Sequence, residues 1–164
     1  MLDVLQGHAS PAAGERVVIV DELGFHQATS VAVVLADRGC IVEIVTPGMV
    51  VGQDLGITLD MEGFCIRAAA KGIVLTPDSV VMGWTAAAEL TASQGELSVL
   101  HHVSGRMLTI SADWVVLAVP GTPADGLYRD LRSAGVDVHR VGDCIAPRRV
   151  HSAVVDGQRI GTSL

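Results

Sequence analysis

Arg16-Val17-Val18-Ile19-Val20-Asp21 is an unbroken apolar run closed by a carboxylate, and Ile41-Val42-Glu43-Ile44-Val45-Thr46 is a second β-branched run. Between them, Gln27 to Arg38 sets Ala28, Val31, Ala32, Leu35 and Ala36 on one helical face, and Gly39 is a natural stop. Apolar runs without alternation predict strands buried on both faces. Strand, helix and strand in about thirty residues make a βαβ unit with a right-handed crossover. The fold class that follows is α/β, built on a Rossmann-like parallel sheet.

A dinucleotide fingerprint belongs in the turn after the first strand. The residues there are Asp21-Glu22-Leu23-Gly24-Phe25-His26, not G-x-G-x-x-G. The glycines of that motif let backbone approach a pyrophosphate closely. Two carboxylates beside a partly desolvated diphosphate would cost on the order of several kcal/mol. The architecture is therefore expected without nicotinamide-nucleotide binding. Glu43 lies near the place of a ribose-binding acid, but it sits inside its strand and reads as structural.

The length of 164 residues suits one domain or two small ones. Apolar residues make up 49% and aromatics 3%, so the core must be built from Val, Leu, Ile and Ala. A formal net charge of −7 argues against a nucleic-acid or anionic-membrane partner. Cys40, Cys65 and Cys144 are far apart and show no CxxC spacing, so no metal site is expected on this chain. Reduced thiols, no membrane span and no signal-like start predict a cytoplasmic protein.

Residues 1–14 read as a lead-in segment. Asp54 to Ala70 is expected to hold a helix with Leu59, Phe64 and Ile66 inward, followed by a third strand at 73–77. Short segments at 80–84, 86–92, 97–103 and 107–110 predict an antiparallel meander, with turns at Ser93-Gln94-Gly95 and Ser104-Gly105-Arg106. His101 and His102 are adjacent on one of these strands, point to opposite faces and cannot share a metal. Asp113 to Val119 is another buried strand, ending in the turn Pro120-Gly121-Thr122-Pro123. Ligands approach parallel sheets at such carboxyl ends. Asp125 can cap a helix running to Ser133, and 136–141 reads as a last strand.

That strand feeds Gly142-Asp143-Cys144-Ile145-Ala146-Pro147-Arg148-Arg149. A Gly-Asp turn is expected here, then a helix opened by Ala146-Pro147 with Val150, Val154 and Val155 inward. Backbone amides and a helix dipole would face whatever sits in front. An aspartate can accept from sugar or ribityl hydroxyls, and Arg148 and Arg149 can pair with phosphate or carboxylate. A flavin or nucleotide contact and a plain strand–turn–helix edge both fit these residues. His26, His139 and His151 come with no nucleophile elbow and no paired cysteine, so no catalytic residue is assigned.

The order of these pieces resembles the old-yellow-enzyme-related multidomain flavoenzymes, the trimethylamine dehydrogenase and 2,4-dienoyl-CoA reductase group. The matching stretches run from Val17–Asp21 into Gly24-Phe25-His26-Gln27-Ala28 and Val31-Ala32, and from Glu43–Gly48 into Val51–Leu55. Val115–Ala118, Leu127-Tyr128 and Val141–Arg149 complete them, the last being the most specific. The resemblance implies an NAD(P)-type inserted domain with a small meander at 15–112 and the FAD-type strand–turn–helix return segment at 113–164. The FMN barrel, its iron–sulfur cysteines and the first Gly-rich βαβ unit have no counterpart in these residues.

By the same resemblance, Gly142 and Asp143 would contact FAD or ADP, Ala146, Pro147 and Arg148 would open the helix beside it, and Gly121 would line the crevice. The resemblance further implies a small subunit of a hetero-oligomeric flavin oxidoreductase, an amine dehydrogenase or demethylase, or an enoate or enoyl-CoA reductase. FAD or ADP would be shared with a larger subunit that carries FMN and the iron–sulfur cluster. Two other readings remain: an assembly subunit with an empty nucleotide crevice, and a free-standing NAD(P)H-binding reductase domain.

Overall fold

The structure is a computed structural model, and it describes residues 1–86 and 95–163. The chain divides into two compact units, Met1–Val119 and Pro120–Leu164.

The first unit opens with a short helix, α1 (Leu2–Leu5), and then alternates strand and helix: β1 (Arg16–Asp21), α2 (His26–Asp37), β2 (Ile41–Val45), α3 (Met61–Ala70) and β3 (Val74–Thr76). Three further strands follow, β4 (Ser79–Ala86), β5 (Gly95–His101) and β6 (Arg106–Ala112), and then β7 (Trp114–Ala118). The parallel sheet has the order β3-β2-β1-β7, so the strand at 114–118 completes the sheet of this unit. The sequence reading groups that strand with the C-terminal segment.

Strand parity sorts the core. Val17 and Ile19 of β1, with Val42 and Ile44 of β2, face Ala28, Val31, Ala32 and Leu35 of α2 and Phe64 of α3. Val18, Val20 and Val45 point the other way, onto Leu97, Val99 and Ala112 of the antiparallel sheet β4-β5-β6. Both faces of β1 are covered, which is why it reads as an uninterrupted run. Glu43 lies on the Val45 face of β2, toward the antiparallel sheet; its Oε1 accepts from Thr76 Oγ1 at 2.5 Å, a cross-strand bond that fits a structural role.

Three expectations need correction here. The helix expected over 54–70 is split into a 3₁₀ turn (Gln53–Ile57) and α3, because Leu59 adopts a left-handed φ of 62° between them. Phe64 is buried as expected, but Leu59 and Ile66 are exposed. His102 lies beyond the end of β5, its Nε2 3.1 Å from the Pro47 carbonyl, while His101 Nδ1 is 2.7 Å from Ser104 Oγ. Most of the strand expected at 86–92, and the Ser93-Gln94 part of its turn, lie outside the described residues.

The second unit holds two helices, α4 (Gly126–Ser133) and α5 (Val150–Gly161), and a 3₁₀ turn over Gly142–Cys144. Residues 136–141 form no strand, because no other strand lies among the described residues of this unit to supply a hydrogen-bonded ladder. The last helix starts at Val150 rather than at Pro147, so Arg148 and Arg149 precede it. Val150 and Val154, expected inward, are 79% and 65% exposed, and Val155 is exposed as well. These valines meet no apolar layer from their own unit.

Candidate nucleotide-binding turn

In the second unit, Gly142 takes a φ of +63°, in the left-handed region that an L side chain adopts at a cost. A Cβ at this position would sit 3.2 Å from the Ala153 Cβ, so the turn packs directly on α5. The Gly142 carbonyl accepts from the amides of Ile145 and Ala146, at 2.9 and 3.3 Å, which closes the turn. Asp143 is exposed, and its Oδ1 accepts from the Arg148 amide at 3.4 Å. α5 is twelve residues long, and no side chain caps its N-terminus.

The six residues singled out from the sequence divide into groups. Gly142, Asp143 and Ala146 share one turn. Gly121 and Pro147 are neighbours: a Cβ on Gly121 would lie 3.2 Å from the Pro147 ring. Arg148 is turned away, with Nε donating to the Ala146 carbonyl at 3.1 Å and its guanidinium paired with Asp156. A phosphate would have to compete with Asp156 for it. The donor set fits one wall of a nucleotide site: an exposed carboxylate for hydroxyls and an uncapped helix end for an anion.

One network in this unit escapes sequence inspection. Asp125, at the N-cap position of α4, accepts from Arg129 at 2.9 Å and Arg140 at 3.0 Å. The Arg129 hydrogen bond chiefly holds the Asp125 carboxyl below the usual carboxylate range. The Arg140 guanidinium also lies 4.6 Å from the centroid of the Tyr128 ring. Only the i,i+4 pair of Asp125 with Arg129 has a spacing that could have signalled it.

In the first unit, the turn after β1 is filled from within. Asp21 is fully buried, and its Oδ1 accepts from the amides of Leu23 (3.1 Å) and Gly24 (2.9 Å). Its Oδ2 is buried with no hydrogen bond of normal length and angle among the described residues. Burial pushes the Asp21 carboxyl up from the ordinary range; the amides of Gly24, Leu23 and Gly52 pull it down, and Asp54 adds to the rise. The amides that a phosphate would need are thus turned onto the chain's own carboxylate. No group of three or more His, Cys, Asp or Glu is gathered for a metal ion, and no helix is long and apolar enough to cross a membrane, among the described residues.

No protein-family profile matches the chain. The N,N-dimethylglycine/sarcosine dehydrogenase of Chromohalobacter salexigens is 28% identical over 96% of this chain and 26% of its own length. The 6-hydroxypseudooxynicotine amine oxidase of Pseudomonas geniculata N1 superposes with a TM-score of 0.81 at 27% identity, over 98% of this chain and 23% of that one. Histamine dehydrogenase from Rhizobium sp. 4-9 gives a TM-score of 0.79 at 24% identity, over 99% of this chain and 25% of its own, a likeness of fold. The chain spans about a quarter of the length of these relatives. It is similar, over nearly all its residues, to one part of much larger oxidoreductases whose names state oxidation or dehydrogenation of amines.

Proposed function

We propose that this chain is the nucleotide-domain component of a flavin-dependent oxidoreductase that oxidises a small amine, and that it supplies one wall of an FAD or ADP site. A larger companion polypeptide would supply the other wall, together with FMN and an iron–sulfur cluster. The observation that carries the reading is the match of 98% of the chain to a 23% portion of an amine oxidase, together with an exposed Asp143 ahead of α5, whose N-terminus no side chain caps. The amine names of the relatives favour amine oxidation over enoyl reduction.

When bound, a flavin would accept the electrons taken from substrate. The residues of this chain would hold the cofactor. Asp143 would accept from ribose or ribityl hydroxyls, and the first amides of α5 would face the diphosphate. Gly142 would let the turn close on α5 without a side chain in the way. No residue of this chain is assigned a step in the chemistry.

Asp143→Ala removes the hydroxyl acceptor and leaves the carbonyl bonds of the turn intact. Cofactor retention in the assembled complex should fall about tenfold, the worth of one charge-assisted hydrogen bond. Nucleotide released by acid and quantified per chain gives the measurement. Unchanged content would remove Asp143 from the site.

A second reading, an assembly subunit with an empty crevice, draws on Arg148 being committed to Asp156. It expects a complex without nucleotide. A free-standing NAD(P)H reductase is opposed by Asp21, which holds the amides of the first turn.

A further inference from the structure

Strand parity places a second set of side chains on the face of the parallel sheet that carries Val18 and Val45. Arg16 stands two residues before Val18 on β1, Ile41 and Glu43 precede Val45 on β2, and Val74 of β3 pairs with Glu43. The antiparallel sheet covers the carboxyl half of this face through Leu97, Val99 and Ala112. The amino half is less covered, and Ile41 and Val74 are 54% and 50% exposed. A cleft of about 330 Å³ opens there, between the amino ends of β1, β2 and β3 and the Ile110 stretch of β6. It lies within the first unit, at the opposite end of β1 from Asp21.

The charged groups of the cleft are opposite in sign. Glu43 is half-buried, and the Thr76 hydroxyl bond to Oε1 sets its carboxylate in place. An ionised carboxylate has about four lone-pair sites, so it can accept from a further donor. Arg16 is exposed at the mouth, and its backbone is anchored because its amide donates to Asp113 Oδ2 at 2.7 Å. Arg16 and Glu43 stand on adjacent parallel strands two residues out of register, about 8 Å apart at Cα. Among the described residues, neither forms an ion pair. Val18, Ile41, Val74 and Ile110 supply aliphatic walls around them.

We propose that this cleft binds a free aliphatic α-amino acid, with its ammonium on Glu43, its carboxylate on Arg16 and its side chain against the valine and isoleucine walls. Ligand sites run from about 300 to 1,000 Å³, and a cleft at the lower end of that range suits a single amino acid. A carboxylate alone would bring a like charge toward Glu43 with nothing to offset it, and an alkylammonium alone would leave Arg16 without a partner. The zwitterion satisfies both. The site shares no residue with the Gly142 turn, and the proposed event is binding alone, with no bond made or broken.

The test is a titration of the 164-residue chain with L-leucine, followed by amide NMR. The amides of Val18, Glu43 and Val74 should shift saturably, and those of Asp143 and Ala146 should stay in place. On the wild-type chain, 4-methylpentanoate, which lacks the ammonium, and 3-methylbutylamine, which lacks the carboxylate, should each bind at least about tenfold more weakly than L-leucine. Glu43→Gln keeps an acceptor for Thr76, and Arg16→Gln changes an exposed rim, so both should keep the Tm within about 2 °C. Each should weaken L-leucine binding at least about tenfold, the loss of one charge-assisted contact. No saturable shift up to about 20 mM L-leucine would overturn the site. So would unchanged affinity in either folded variant, or shifts centred elsewhere on the chain. Either analogue binding as tightly as L-leucine would overturn the amino-acid assignment, and that arm holds even if a variant fails to fold.

Discussion

Asp21→Ala should destabilise the first unit by about 2 kcal/mol, because two amides lose their acceptor while one desolvated carboxylate is removed. Leu23 and Gly24 donate to Oδ1 in a part-buried turn, and their orphaned N–H groups would cost about 1–3 kcal/mol each. Against this stands the release of a buried acid whose second oxygen has no normal hydrogen bond among the described residues. Asp21→Asn keeps an acceptor for the two amides and should cost less than Asp21→Ala.

The asparagine variant also carries a pH signature. Burial raises the folded-state pKa of Asp21, so between the ordinary carboxylate value and that raised value the folded chain binds the extra proton. The stabilisation that Asp21 contributes is therefore full at low pH and is lost as pH rises through the raised value. Urea unfolding from about pH 4 upward should show the wild type losing stability relative to Asp21→Asn. A difference that stays flat across that range would mean the carboxyl titrates normally and is not desolvated.

Phe64→Ala should be the most damaging single truncation, at about 3–5 kcal/mol. Phe64 is 1% exposed and packs in the cluster that joins α2, α3 and the sheet. With aromatics at 3% of the chain, the neighbours are mainly small aliphatics that cannot swing in to fill the cavity. The loss also reaches the turn after β1, because Leu55 shares the cluster and the Gly24 carbonyl is bonded to the Asp54 amide beside it. Equilibrium denaturation monitored at Trp114 would read the change. A loss under about 1 kcal/mol would show that the helical layer repacks freely.

The layered core was legible because burial on both faces writes itself into composition. Val17 to Val20 point alternately to two different layers, so the strand has no polar position to interrupt it. The Gly39 helix stop was legible for a local reason, since Gly39 takes a positive φ. The second unit was not legible in the same way. Val136 to Val141 have strand-forming residues, but a strand needs a neighbour, and pairing is a property of the surroundings rather than of the segment. The valines of α5 have helical spacing and are exposed for the same reason.

For the candidate site, Gly142 and Asp143 could be read because a glycine at positive φ followed by an exposed carboxylate is a local arrangement. Arg148 could not. Its commitment to Asp156, eight residues on, depends on where α5 begins. The buried role of Asp21 was half visible: the carboxylate in place of glycine was plain, but its grip on the Leu23 and Gly24 amides needed coordinates. The Asp125–Arg140 pair spans fifteen residues and follows no helical period.

The most direct measurement is the composition of the assembly isolated from native cells under gentle conditions, by native mass and by nucleotide released on acid treatment. The account predicts a larger companion in fixed ratio and one FAD or ADP for each copy of this chain. A colourless chain recovered by itself, folded and free of nucleotide, would contradict it.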